Sequence, residues 1–297
     1  FPQPQVTRTR DAGEIARAVF VVDVGGAWDA ARGRLDHHQR GFDGARVRVD
    51  SEGQPVRAEG YASAGLVWRE YGSAYVRQAA EALGHALADE VFASIAEDID
   101  ASLVRYLDLV DNGEANVAPG IVGLSSQVSL LNTTWMEEKG LDADAVARLQ
   151  LQRFHEAMGM VDRALQRIVL RGVGQVLAAD SVRRAERLLE GRVLLLAEGG
   201  MPWTRVVLQE MPQVLLVIYP EGGGAQYQIR TVPAGEGTFA SRMDLPAAWA
   251  GLRDKQLAAV TGVADAVFCH MKRFIAGARS REGALRMATL ALEGQGG

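Results

Sequence analysis

The first apolar run of the chain predicts a buried strand. Residues 19–24 read Val-Phe-Val-Val-Asp-Val and stand before two glycines, a pattern typical of a buried parallel strand that feeds a loop. Residues 6–9 predict a short strand ahead of it, and Asp11 with Glu14 three residues later predicts the start of a short helix. A strand, a helix and a strand in so few residues indicate an α/β sheet with helices on its faces.

A long stripe with helical spacing follows between residues 61 and 111. Its apolar positions recur every three or four residues, and they are Leu83, Leu87, Val91, Ile95, Ile99, Leu103 and Leu107. A second helical pattern covers residues 142–170. These two stretches predict the helices of a first domain and a helical connection to a second one.

The pattern changes after Gly172 and Gly174. Short apolar runs separated by glycine and proline predict strands at residues 192–197, 204–208, 214–219 and 226–232, and a closing helix is predicted at residues 281–292. We therefore place a domain boundary near residue 173. The predicted fold is α/β: a DHH-phosphoesterase-like parallel-sheet domain over residues 1–172, a helical connection, and a smaller α+β domain over residues 173–297.

Length and net charge limit the classes of protein to which this chain could belong. The chain has 297 residues and a net charge of −5, so it is long enough for two domains and is not a polycation that coats nucleic acid. A polyanion would need a local basic patch, and residues 271–286 supply the candidate, with Lys272, Arg273, Arg279, Arg281 and Arg286 against Glu282. A solvated helix face explains the same pattern.

The remaining composition favours a cytoplasmic protein. No apolar run is long enough to cross a membrane, and the start of the chain lacks the pattern of a secretory leader. The single cysteine, Cys269, excludes an internal disulfide and fits a reducing compartment. Its apolar neighbours predict a buried structural thiol.

Chemistry-bearing residues stand at three places: Asp23 at the end of the predicted strand, the triplet Asp36-His37-His38, and Asp108 with Asp111 at the end of the helical stripe. Carboxylate and imidazole ligands suit manganese or magnesium better than structural zinc. Alone, such an aspartate often caps a helix and such histidines are often solvated, so only the combination points to a metal site. Neighbouring side chains of an extended segment point to opposite sides, so we expect one histidine to bind metal while the other faces elsewhere.

Several stretches together carry a family resemblance. They are VVDVGG, RLDHHQRGF at residues 34–42, LVDNG at residues 109–113, GTFASRMDLPAAWAGLRD at residues 237–254 and REGALRMA at residues 281–288. With these stretches the chain resembles, essentially from end to end, the melanocyte-proliferating-gene-one family, a branch of the DHH phosphoesterase superfamily. The resemblance implies a two-domain hydrolase that uses manganese, with magnesium as the alternative, and acts as a 3′-to-5′ exonuclease on RNA.

The resemblance also implies roles for individual residues. The metal ligands would be Asp23, His37 and Asp111, with Asp108 as the fallback for Asp111. The catalytic residues would be Asp36, which orients and charges the site, and His38, which contacts the phosphate. The substrate-binding residues of the second domain would be His270, Arg279 and Arg281. Residues 277–281 would start a helix whose free backbone N–H groups add to phosphate binding. We expect two divalent ions in a cleft between the domains.

Alternative functions remain open. Family members begin with a strand and an H-x-x-x-F-H-x-D-E motif that supplies further metal ligands, whereas the printed sequence starts at Phe1 without this motif. We therefore expect the activity of a chain that carries the motif and not of residues 1–297 alone. The alternatives are a small-nucleotide phosphatase or oligonucleotidase, and a degenerate, non-catalytic protein that binds nucleic acid or a partner. The sequence makes no prediction of the oligomeric state.

Overall fold

A computed structural model of the protein describes residues 5–116, 123–223 and 226–294. The chain divides into two units, Phe1–Val173 and Gly174–Gly297. The predicted roles of the two units, metal binding and substrate binding, stay predictions. Within the described residues, no helix combines the length and the apolar character needed to cross a bilayer, and the cytoplasmic location stays a prediction.

The first unit contains helices and short strands. Its helices are α1 (Ala12–Arg17), α2 (Ser63–Ala82), α3 (Asp89–Ile99), α4 (Arg105–Asp111), α5 (Leu124–Leu130), α6 (Trp135–Glu138) and α7 (Ala143–Arg184), the last of which continues past the unit boundary. Its strands are β1 (Val21–Val22), β2 (Trp28–Asp29), β3 (Arg34–Leu35), β4 (Ala45–Val49) and β5 (Pro55–Gly60). A 3-10 turn covers Ala30–Arg32, and a π-helical turn covers Asp100–Val104.

Strand β1 is shorter and more exposed than the sequence predicts. It pairs in parallel with β3, which pairs antiparallel with β2. Of residues 19–24 only Val21 is buried. The Arg34 guanidinium donates to the backbone carbonyl oxygens of Ala18 (2.9 Å) and Val19 (3.4 Å), so a side chain rather than a neighbouring strand pairs with the start of the run. The prediction of a buried strand over residues 19–24 is therefore wrong in its length and burial, while the predicted parallel pairing is present between β1 and β3.

The start of the chain gives one wrong and one correct prediction. Residues 6–9 form no strand. The short helix is confirmed as α1, and the Asp11 carboxylate accepts a hydrogen bond of 2.8 Å from the Glu14 N–H. This bond satisfies one of the free N–H groups at the helix start.

The long helical stripe folds back on itself. It forms α2, α3, the π-helical turn and α4, and the turn between α2 and α3 brings their apolar faces together around Val76, Phe92 and Ile95. Helix α7 runs past the predicted end at residue 170 because Gly172 does not stop it. A Cβ atom at Gly172 would lie 2.8 Å from Cγ2 of Ile95, so this glycine allows α7 to pack closely on α3.

The second unit is built on one mixed sheet. Its strands are β6 (Glu186–Leu188), β7 (Val193–Leu195), β8 (Leu216–Pro220), β9 (Tyr227–Thr231), β10 (Ala266–Cys269) and β11 (Ile275–Ala278), in the order β10-β11-β9-β8-β7-β6. Its further helices are α8 (Thr204–Glu210), α9 (Asp254–Thr261) and α10 (Arg281–Glu293), with a 3-10 turn at Ala247–Trp249. The predicted closing helix is confirmed as α10.

One predicted strand of this unit is wrong. Residues 204–208 form the start of α8, which connects the parallel strands β7 and β8. Parallel neighbours need such a crossover, and burial of Val206 and Val207 with the β7 residue Leu194 outweighs the strand propensity of the two valines. The α/β class is confirmed, while the DHH-like parallel sheet stays a prediction.

Candidate metal centre

Asp23 stands at the end of β1 with its side chain exposed. Its backbone N–H still donates to the Leu35 carbonyl oxygen (3.2 Å), and its φ of 65° turns the chain away from the strand. The Asp23 Oδ1 atom lies 3.7 Å from Nδ1 of His37 and 3.9 Å from Nδ1 of His38. The strand end therefore delivers a carboxylate to both histidines.

Asp36 is buried and organises the loop around it. Its Oδ1 accepts hydrogen bonds from Nδ1 (2.7 Å) and the backbone N–H (3.1 Å) of His38, and its Oδ2 accepts one from the Gly26 N–H (2.6 Å). Burial raises the pKa of Asp36, but the hydrogen bonds from His38 and Gly26 outweigh it and hold the pKa below its ordinary value. Asp36 is therefore a carboxylate that orients His38.

The two histidines face the same place, so the expectation that they point apart is wrong. Their ring centroids are 4.1 Å apart. The bond from the His38 N–H to the Asp36 side chain closes a local turn, and residues 36–38 are not a strand. The hydrogen bond to Asp36 raises the pKa of His38 above its ordinary value; burial opposes this, and the charges of Asp36, Asp23 and Asp111 add to it.

His37 is oriented from two sides. The Ser63 N–H donates to Nδ1 of His37 (3.1 Å), and the Ser63 hydroxyl lies 2.9 Å from the same atom. On the other side of the ring, Nε2 lies 3.5 Å from Oδ2 of Asp111. Since Ser63 begins α2 and Asp111 ends α4, two helices fix the ring. Asp108, the fallback for Asp111, instead faces Arg46.

The side chains converge into a set with metal-ligating chemistry. Asp23, Asp36, His37 and His38 each offer one ligand atom, and these atoms all lie within 4.8 Å of one another. Asp111 is not a member of this set but lies beside it, with its Oδ2 atom 3.5 Å from Nε2 of His37. Carboxylate oxygens and imidazole nitrogens are ligands of divalent metal ions, so these residues could hold such an ion.

The substrate-binding residues predicted in the second unit do not lie together. Strands β10 and β11 pair Ala266 with Ala278 and Cys269 with Ala276. His270, directly after β10, lies opposite Ile275, four residues from Arg279, which directly follows β11. The two residues are therefore at opposite ends of one hairpin, about 13 Å apart at the 3.3 Å rise of a strand residue. Arg281 pairs with Glu186 (2.8 Å) and Arg279 with Asp254 (3.4 Å).

The stretch at residues 277–281 ends β11 and leads into α10, which begins at Arg281, and it is not open to phosphate in the expected way. The N–H (2.9 Å) and hydroxyl (2.5 Å) of Ser280 donate to Asp265, and the Gly283 N–H donates to the Ser280 hydroxyl. A carboxylate thus lies where the start of α10 would attract an anion. The expectation of free N–H groups is wrong at Ser280 and Gly283, and the binding roles of Arg279 and Arg281 stay predictions.

Cys269 behaves as a structural residue. It is 2% exposed in β10, and burial raises the pKa of its thiol to about 11. A thiol with this pKa is not a nucleophile at neutral pH, so the prediction of a buried structural thiol is confirmed.

Comparison with known proteins identifies the family. A family model named MYG1_exonuc and described as "Uncharacterised protein family (UPF0160)" matches residues 1–292. The chain belongs to this family. The resemblance stated from the sequence is thereby confirmed.

Similar members of the MYG1 family cover nearly the whole chain. The MYG1 exonuclease of Rattus norvegicus is 33% identical over 98% of this chain and 78% of its own length. The MYG1 exonuclease of Homo sapiens is 32% identical over 98% of this chain and 79% of its own length. The MYG1 protein C27H6.8 of Caenorhabditis elegans is 30% identical over 99% of this chain and 88% of its own length. No solved structure matches the chain significantly.

Sequence reasoning missed the residues that support this centre in the MYG1-family chain. Ser63 orients His37, and the Gly26 N–H binds Asp36. The signals in the sequence were weak: Ser63 is the first residue of a helical stripe, and Gly26 stands in a glycine pair that suggested only a loop. Support of this kind is set by contacts between residues far apart in the chain.

Proposed function

We propose that the protein is a metal-dependent phosphodiester hydrolase that removes nucleotides from the 3′ end of RNA. The observation that carries the proposal is the convergence of Asp23, Asp36, His37 and His38 in a chain whose rat and human relatives are named MYG1 exonuclease. Neither a carboxylate–histidine cluster nor a relative's name would support this function alone, but the two agree on the same chemistry.

The metal would be held by Asp23, His37 and Asp111. When bound, divalent manganese or magnesium, as a pair of ions, supplies a hydroxide nucleophile and offsets the negative charge on the phosphate. Asp23 and Asp111 each leave more than half of their side chains exposed, at 61% and 58%, so both carboxylates are accessible to an ion. Ser63 lies at Nδ1 of His37 and leaves Nε2 on the side of Asp111. For Nε2 to bind a metal, the ring proton would be on Nδ1 and would be donated to the Ser63 hydroxyl.

His38 would contact the phosphate of the substrate. Its side chain is 59% exposed, and Asp36 fixes the ring through Nδ1. Nε2 is left free, and in the protonated ring it donates to a phosphate oxygen. Asp36 acts as the orienting residue of this pair. In the second unit, His270, Arg279 and Arg281 are the proposed substrate-binding residues, and Arg281 would exchange its ion pair with Glu186 for a phosphate.

The proposal is tested with a short RNA labelled at its 5′ end, incubated with Mn²⁺ and a chain that carries the H-x-x-x-F-H-x-D-E motif ahead of residues 1–297. We expect stepwise shortening from the 3′ end that stops when EDTA removes the metal. The Asp23→Ala and His37→Ala variants should each lose at least 100-fold in rate, since ligand loss empties the site. His155→Ala is the matched control, because His155 is an exposed histidine of α7 and the variant should retain the wild-type rate.

Three results would replace the proposal. Cleavage that persists at the same rate in His37→Ala would remove the metal centre from the reaction. Activity restricted to di- and trinucleotides would favour the oligonucleotidase. RNA binding without cleavage under every metal tested would favour the non-catalytic protein.

A further inference from the structure

Asp108 lies one helical turn before Asp111 in α4 and faces the interior rather than the metal centre. It is 0% exposed. Its Oδ1 accepts a hydrogen bond of 2.9 Å from the Gly65 N–H, and its Oδ2 lies 2.8 Å from Nη1 of Arg46. Both carboxylate oxygens are therefore engaged inside the protein, so Asp108 does not serve as the fallback metal ligand.

The contact with Gly65 joins the two helices that position His37. Gly65 belongs to the first turn of α2, two residues after Ser63, whose N–H binds Nδ1 of His37. Asp108 belongs to α4, whose last residue, Asp111, faces Nε2 of the same imidazole. The Asp108 carboxylate therefore links α2, whose Ser63 contacts one side of the His37 ring, to α4, whose Asp111 faces the other side.

Arg46 holds Asp108 in place. The Arg46 side chain is 8% exposed and makes a two-pronged contact with Asp100, from Nε (2.7 Å) and Nη2 (2.6 Å). Asp100 begins the π-helical turn from which α4 continues, and π-turns of this kind often occur at functional sites. Arg46 therefore links strand β4, the π-helical turn and α4 through two aspartates.

We propose that Asp108 and Arg46 are positioning residues that set the separation of His37 and Asp111, and with it the affinity of the site for a divalent metal. Neither residue touches the metal or the substrate; they act through the first turn of α2 and the last turn of α4. The inference rests on the proposed function in one respect, namely that His37 and Asp111 bind the metal. Partners that orient metal ligands typically change metal affinity 10- to 100-fold.

The test compares two conservative variants with a matched core variant. Asp108→Asn keeps an oxygen for the Gly65 N–H but removes the charge opposite Arg46, and Arg46→Lys keeps the charge but not the two-pronged contact with Asp100. Ile95→Val truncates a core residue of the same unit whose apolar side chain forms no hydrogen bond or ion pair with the metal ligands or Asp108. The Ile95→Val variant measures what a general loss of stability does to the site.

Two measurements are made on each full-length variant. The first is the Mn²⁺ affinity, from the electron paramagnetic resonance signal of the free ion. The second is the side-chain ¹⁵N–¹H spectrum of the five histidines without metal, with His37 assigned by its loss in His37→Ala. We expect Asp108→Asn and Arg46→Lys to bind Mn²⁺ at least 10-fold more weakly and to shift the His37 signals, while Ile95→Val changes neither.

The results separate this inference from the proposed function. Unchanged Mn²⁺ affinity and unchanged His37 signals in a folded Asp108→Asn or Arg46→Lys variant would overturn the inference, as would an equal loss of affinity in Ile95→Val. A wild-type protein that binds no Mn²⁺ would contradict the proposed function and the effect on metal affinity together. The His37 signals of the metal-free variants would still decide whether Asp108 and Arg46 position the ring.

Discussion

The close approach of α2 and Asp108 makes Gly65→Ala an informative perturbation. A Cβ atom at Gly65 would overlap Oδ2 of Asp108, lie 2.8 Å from its Cγ, and lie 2.7 Å from Cδ1 of Tyr61. Contacts this short are not tolerated, and none of these atoms is the far end of a flexible exposed chain. Either α2 or the Asp108 side chain must therefore shift.

Two opposing effects decide the size of the change in stability. Replacing a helical glycine by alanine stabilises a protein by up to about 1 kcal/mol. Overpacking a filled site costs about 1–3 kcal/mol, and separating a buried charge from its partner costs about 3–5 kcal/mol. Since the shift weakens rather than abolishes the contact of Asp108 with Arg46, we expect Gly65→Ala to lower the free energy of unfolding by about 1–4 kcal/mol.

The assay is urea unfolding followed by circular dichroism, with Gly159→Ala as the matched control. Gly159 lies in α7, and the nearest atom to its added Cβ would be Nη1 of Arg163 at 3.5 Å, an ordinary contact. Gly159→Ala should therefore be as stable as the wild type or up to about 1 kcal/mol more stable. A Gly65→Ala protein as stable as Gly159→Ala would refute the close approach and the role assigned to Asp108.

Three further predictions concern other parts of the chain. The pKa of Glu137 is about 2, below its ordinary 4.5, because the carboxylate accepts hydrogen bonds from the Thr134 N–H, the Arg153 guanidinium and the Thr134 hydroxyl. The stability that this carboxylate adds is therefore present above pH 4.5 and lost as the pH falls toward 2. The Tm advantage of the wild type over Glu137→Gln should shrink across that window in calorimetry, and a constant difference would contradict the capping contact. Ser63→Ala keeps the backbone donor to His37 but loses the hydroxyl, so calorimetric Mn²⁺ titration should give a several-fold weaker affinity; unchanged affinity would mean that the N–H alone orients the ring. Cys269, with a thiol pKa of about 11, should react with a disulfide reagent at pH 8 only after urea is added, and rapid labelling of the native protein would show that β10 opens.

Local patterns predicted which residues come together in the candidate metal centre better than they predicted the arrangement of those residues. An aspartate after an apolar run and aspartates at the end of a helical stripe are placed by strand and helix geometry. On those grounds the sequence identified Asp23 and the pair Asp108 and Asp111, and the family resemblance then favoured Asp111 over Asp108. The direction of the two histidine rings depends instead on a turn closed by the Asp36 side chain. Periodicity assumed an extended segment, so it put the rings on opposite sides.

The errors in the fold have the same origin in tertiary contacts. The valines at positions 206 and 207 favour a strand locally, but the crossover between β7 and β8 requires a helix there. Gly172 suggests the end of a helix, but α7 continues through it. Helix α3 packs so closely on this position that a Cβ atom at Gly172 would lie 2.8 Å from Cγ2 of Ile95. The separation of His270 from Arg279 follows from the register of β10 and β11, which no spacing along the chain reveals.

The central claim is that Asp23 and His37 hold a catalytic divalent metal. The most direct measurement is a titration of the metal-free protein with Mn²⁺. The paramagnetic resonance signal reports the concentration of the free ion. The account predicts saturable binding by the wild type and by His155→Ala, and a loss of at least 10-fold in affinity for Asp23→Ala and for His37→Ala. Equal binding by all four proteins would place the ion elsewhere and contradict the account.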